Sequence, residues 1–193
     1  MLNKTASLFV LLAACAAGPV DAQTQAPAPP PPRCESAEFH AFDFWIGAWT
    51  VHDAAGQLLG YNAIRPIATG CGLLEHWRGA QSGAEGLSIN AYDAALGGWT
   101  QRWVGASATL WLAGGLVGDA MVLTSTAPRT LRSGDSVRDR ITWTPLPDGR
   151  VRQFWEVSVD GGEWQPTFEG FYSRGATGGG AAVGGRRPHS SDF

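Results

Sequence analysis

Glu75, Gln101 and Gln153 are the polar residues whose type and spacing could do chemistry, because each stands two positions before a tryptophan. Residues two apart on a β-strand share a face. Glu75-x-Trp77, Gln101-x-Trp103 and Gln153-x-Trp155 therefore each put a polar group and an indole on one side, and Ile141-x-Trp143 adds another indole. The arginines of the same segments, Arg78, Arg102, Arg138, Arg140 and Arg152, fall on the opposite side. A closed sheet has one inside, and the tryptophan face is expected to be it. Apolar walls with a few convergent polar groups describe a small-molecule site. A carboxylate among indoles costs several kcal/mol unless something pairs with it. Glu75 has three ways to be accommodated: an ion pair with an inward arginine such as Arg174, hydrogen bonds from Gln101 and Gln153, or a ligand whose head group those amides orient. Asp139 shares the tryptophan face near a strand start, where water is expected to reach it.

These residues need strands to position them. Strand-like runs cover 45–53, 57–67, 71–78, 86–92, 99–104, 108–112, 120–125, 137–144, 150–159 and 164–174, separated by Gly, Asp and Pro turns. Asp148-Gly149 and Asp160-Gly161 are hairpin signals. About ten short antiparallel strands with no long helix predict an all-β, up-and-down barrel. A short helical lead-in is expected over 35–44.

The opening of that run is distinctive. Phe42-Asp43-Phe44-Trp45-Ile46-Gly47-Ala48-Trp49, with Gly47-x-Trp49 starting a strand, resembles the lipocalin-like (calycin) barrels. Together with Gly70-Cys71, Glu75-x-Trp77 and the Trp155-to-Gly162 stretch, it is most similar to a bacterial secreted domain family of unknown function. The resemblance implies a barrel with a ligand-sized interior and leaves activity open. It also implies that an arginine of the last strand, here Arg174, packs over Trp49 and plugs one barrel end. Related nitrobindin-like barrels hold haem through an inward histidine. Here His52 and His76 fall on the outward face, His40 precedes the barrel and His189 lies in the tail, so no cofactor and no metal are expected.

The chain beyond the barrel reads as targeting and spacing. Lys4, the apolar run 8–17 and Val20-Asp21-Ala22 fit a signal peptide over 1–22. Leu12-Ala13-Ala14-Cys15 equally resembles a lipobox, which makes 1–14 the leader and Cys15 a lipidation site. Either way the protein is expected to be exported, to the periplasm or to an envelope anchor whose only membrane contact is that lipid. Residues 23–33, with Pro27 and Pro29 to Pro32, form a spacer, 34–174 the barrel, and 175–193 a Gly-rich disordered tail. In an oxidising compartment Cys34 and Cys71 invite a disulfide; two buried thiols are the alternative. With 14 basic against 17 acidic side chains and no basic cluster, nucleic acid is not an expected partner.

The expected function is binding of a small apolar or amphipathic molecule by Glu75, Trp77, Gln101, Trp103, Trp143, Gln153 and Trp155. Two alternatives stand beside it. One is an isomerase- or cyclase-type enzyme using Glu75 as general acid/base. The other is a structural or partner-docking barrel whose rings simply fill the core.

Overall fold

The computed structural model describes residues 34–106 and 108–175. The signal peptide, Cys15, the proline spacer and the tail beyond Gly175 lie outside the described residues. Alternating apolar and polar residues build β1 (Gly47–His52), β2 (Leu58–Ile67), β3 (Gly72–Gly79), β4 (Glu85–Asp93), β5 (Gly98–Gly105), β6 (Thr109–Val117), β7 (Ala120–Ser125), β8 (Arg129–Thr130), β9 (Ser136–Pro145), β10 (Val151–Val159) and β11 (Gln165–Arg174). All pairings are antiparallel, in the order β10-β11-β1-β2-β3-β4-β5-β6-β7-β9, and β9 pairs back with β10. Ten strands thus close into a barrel. The short β8 lies beside the start of β9, where β7 has already ended.

Turn chemistry sets the register. The Asp53 carboxylate accepts the backbone N–H of Ala55 and Gln57, and Asp93 does the same for Ala95 and Leu96. Asp160 and Gly161 take φ of 50° and 76°, as a tight hairpin turn requires.

Most strand ends lie within one or two residues of the sequence reading, and three differences bear on the architecture. β6 continues to Val117, because Leu116 and Val117 pair with Met121 and Ala120 across a tight turn. The glycines at 114 and 115 had masked that continuation. The last strand opens at Gln165, so Trp164 stays outside it. At the start, Trp45 is not in the first strand. The lead-in forms two 3-10 turns, Ala37–His40 and Asp43–Trp45, and β1 opens at Gly47.

That lead-in closes one end of the barrel. Phe42 and Trp45 are fully buried, stacked at 4.9 Å, with Trp143 at 5.2 Å from each. Phe42 meets Trp99 edge-on at 5.6 Å. Backbone carbonyls of the lead-in also accept indole N–H groups: Trp49 Nε1 donates to Trp45 O at 2.8 Å, and Trp99 Nε1 to Glu38 O at 3.0 Å. The Cys34–Cys71 disulfide, with Cα atoms 5.1 Å apart, ties the lead-in to the chain just before β3. Arg174 is the register partner of Trp49, and its guanidinium lies 4.6 Å from the indole centroid. The guanidinium needs Gly47, where a Cβ would stand 2.8 Å from Arg174 Nη1 and φ is +154°.

Candidate functional site

Strand alternation sends Glu75, Trp77, Gln101, Trp103, Gln153 and Trp155 into the barrel, and closure brings them round one cavity of about 200 Å³. Its deep wall is buried: Glu75, Gln101, Trp143, Gln153 and Tyr172. Its mouth is formed by Trp77, Trp103, Trp155 and Phe168, which are partly exposed at the end opposite the lead-in. Two mouth tryptophans lie directly against glycines. A Cβ on Gly60 would come within 2.6 Å of the Trp77 ring, and one on Gly86 would overlap the Trp103 ring. Gly170 makes the same allowance for Phe168, whose ring is 2.9 Å from a Cβ built there. With rings laid along the wall, the centre of the lumen stays open.

A belt of polar side chains crosses the bottom of this cavity. Glu75 is 3% exposed. Asn62 Nδ2 donates to its Oε1 at 2.8 Å, and Ser88 Oγ donates to its Oε2 at 2.5 Å. Behind Ser88, Asn90 Nδ2 donates to Ser88 Oγ at 2.8 Å, and Gln101 Nε2 donates to Asn90 Oδ1 at 2.8 Å. On the other side Tyr172 Oη donates to Gln153 Oε1 and sits 3.4 Å from Asn62 Nδ2. Burial raises the Glu75 carboxyl to about 7, against the lowering influence of Ser88 and then Asn62. Burial, and then the Glu75 charge, push the Tyr172 phenol well above its ordinary value.

The three ways of accommodating Glu75 resolve differently from the sequence reading. Arg174 is engaged with Trp49 at the closed end and forms no ion pair with Glu75. Gln101 and Gln153 do not bond to it; Asn62 and Ser88 do. Asp139 is likewise corrected. It is not water-accessible but 0% exposed, held by Arg129 Nε at 2.9 Å and Nη2 at 3.2 Å, and it accepts the Trp155 indole N–H at 3.0 Å. The two-residue β8, absent from the sequence reading, is what brings Arg129 to this place.

Asn62, Ser88, Asn90 and Tyr172 were missed. The signal was present in the period-2 pattern: Gly60-x-Asn62-x-Ile64 on β2, Gly86-x-Ser88-x-Asn90 on β4 and Phe168-x-Gly170-x-Tyr172 on β11 are all inward rows. Small and polar residues in those rows carry little hydrophobic contrast, which is why they read as neither face. Buried polar atoms without a partner among the described residues are the indole N–H groups of Trp45 and Trp143 and the Asn62 carbonyl. Trp143 lines the cavity. Among the described residues, no group of three His, Cys, Asp or Glu side chains could hold a metal, and no helix is long and apolar enough to cross a membrane.

Compared with known proteins, the chain matches no family model and no curated protein sequence.

Proposed function

We propose that the protein is an exported, lipocalin-like barrel that holds a small apolar or amphipathic molecule in its tryptophan-walled interior. The observation that carries this reading is the cavity itself: about 200 Å³, open between Trp77, Trp103, Trp155 and Phe168, with a buried polar belt at its bottom. A barrel whose rings merely filled space would pack there as it packs at the other end. The disulfide supports export, because such bonds persist in oxidising compartments. The stacking of Arg174 on Trp49 supports the calycin likeness. Titration of the mature protein with retinol, a long-chain fatty acid and small aromatic compounds, followed by tryptophan emission, tests the reading. Saturable quenching by at least one probe is expected. Emission unchanged by every probe, with no molecule co-purifying by mass spectrometry, would leave the structural barrel instead.

A second reading has one observation in its favour. A carboxyl held near 7 in an apolar cavity can both give and take a proton at neutral pH, as a general acid/base must. On this reading Glu75 would protonate one position of an unsaturated ligand and deprotonate another, giving isomerisation or cyclisation. Glu75→Gln would then abolish turnover of the recovered ligand while leaving its binding in place.

A further inference from the structure

We propose that the ligand is an organic cation, a small amine in its ammonium form whose positive end sits against Glu75 inside the ring of aromatic side chains. This rests on the reading of the cavity as a ligand site and narrows it to one charge class.

Other buried or half-buried carboxylates of the barrel have cationic partners. Asp139 has Arg129 at 2.9 Å, Glu156 has Arg140 at 3.0 Å and Glu169 has Arg152 at 2.6 Å. Glu75 is more buried than Glu156 or Glu169, and among the described residues it is bonded only to the neutral Asn62 and Ser88. Among the described residues, none that lines its cavity is a lysine, arginine or histidine. The hydrogen bonds around Glu75 also have a common direction. From Gln101 to Asn90, Asn90 to Ser88 and Ser88 to Glu75, each donor points toward the carboxylate, and Asn62 points to it from the other side. Such a relay favours an anion at Glu75 and leaves a counter-charge as the missing component. The wall suits a cation as well. Trp77, Trp103, Trp143, Trp155, Phe168 and Tyr172 border the same space, and aromatic faces attract ammonium groups, most strongly when water is excluded.

Other charge classes fit less well. A fatty carboxylate would meet Glu75 as a like charge. A neutral ligand leaves the buried carboxylate uncompensated at alkaline pH. The volume sets the scale: a cavity near 150 Å³ takes benzene, so about 200 Å³ takes a ring with a short side chain. The groups facing Glu75 are Asn62 from β2, Ser88 and Asn90 from β4, and Tyr172 from β11; of these only the phenol titrates, well above neutrality. The pH response of cation binding near 7 therefore belongs to Glu75.

Three probes of similar size test the proposal on the mature protein: phenethylammonium, 2-phenylethanol and phenylacetate, each titrated by calorimetry and tryptophan emission at pH 8 and pH 5.5. At pH 8 the ammonium is expected to bind at least roughly tenfold more tightly than the alcohol, with no detectable binding of phenylacetate. At pH 5.5 protonation of Glu75 should remove most of that advantage in the unaltered protein, so the test does not depend on a variant folding. Glu75→Gln should erase the preference at pH 8 while leaving the alcohol's affinity nearly unchanged. At pH 8, the alcohol or phenylacetate binding the unaltered protein as tightly as the ammonium overturns the proposal, as does a preference that survives both pH 5.5 and Glu75→Gln. Failure of all three probes, while a larger uncharged probe still quenches emission, removes the cation alone. Failure of every probe removes the binding reading with it.

Discussion

The two ends of this barrel are built from the same kind of residue and do opposite things with it. At the closed end Phe42, Trp45, Trp99 and Trp143 pack ring against ring at 4.9 to 5.6 Å and exclude water. At the open end Trp77 and Trp103 lie against glycine backbone and leave a cavity between them. What distinguishes the ends is their neighbours. The 3-10 lead-in inserts Phe42 and Trp45 into one end, and Gly60, Gly86 and Gly170 clear the other. A tryptophan count therefore cannot tell filler from wall; the segment opposite each ring decides.

The largest expected difference between the ends is energetic. Trp49→Ala at the closed end should cost about 3–5 kcal/mol, the loss that follows when a large ring is deleted from a packed core. Trp103→Ala at the mouth should cost roughly 1–2 kcal/mol, because little packing depends on it. Urea denaturation of both variants checks this, and equal losses would erase the distinction. The disulfide comes next. Cys34 and Cys71 are separated by 37 positions, and replacing both by serine should cost about 3–4 kcal/mol on the chain-entropy account. The loss should free the lead-in, so hydrogen exchange at Trp45 and Trp49 should rise before exchange in β9 and β10 does.

Glu75 gives the open end a pH signature of similar size. Its carboxyl is raised from 4.5 to about 7, so between those values the folded protein holds a proton that the unfolded chain has lost. Stability should fall as pH rises across that window, by up to about 3 kcal/mol, and be flat with respect to this group above it. Glu75→Gln should abolish the slope. A slope that persists in the variant would assign it elsewhere. The smallest effect returns to the closed end: a double-mutant cycle on Trp49 and Arg174 should give a coupling of about 0.5–2 kcal/mol. Additive losses would reduce the stacked pair to a mere proximity.

Much of the barrel was legible because its signals are local. Period-2 alternation placed Glu75, Gln101 and Gln153 beside Trp77, Trp103 and Trp155, and Asp-Gly turns marked the hairpins. What was not legible depends on contacts between strands and segments distant in sequence. Nothing near Glu75 in sequence says that Asn62 and Ser88 flank it, since those contacts arise from the pairing of β2, β3 and β4. Arg129 reaches Asp139 through a two-residue strand too short to leave a pattern. The lead-in is a further case: Trp45 looks like the first residue of a strand and Phe42 like part of a short helix, until the tertiary fold makes both the barrel's floor.

The contents of the open end decide between a ligand-holding barrel and a filled one. A crystal structure of the protein purified from its native host, without any step that strips small molecules, measures that. The account predicts ordered density for an organic molecule between Trp77, Trp103 and Trp155, with a polar end within hydrogen-bonding distance of Glu75. Mouth side chains collapsed into the lumen, with Glu75 sealed beneath them and no space for a ligand, would contradict it.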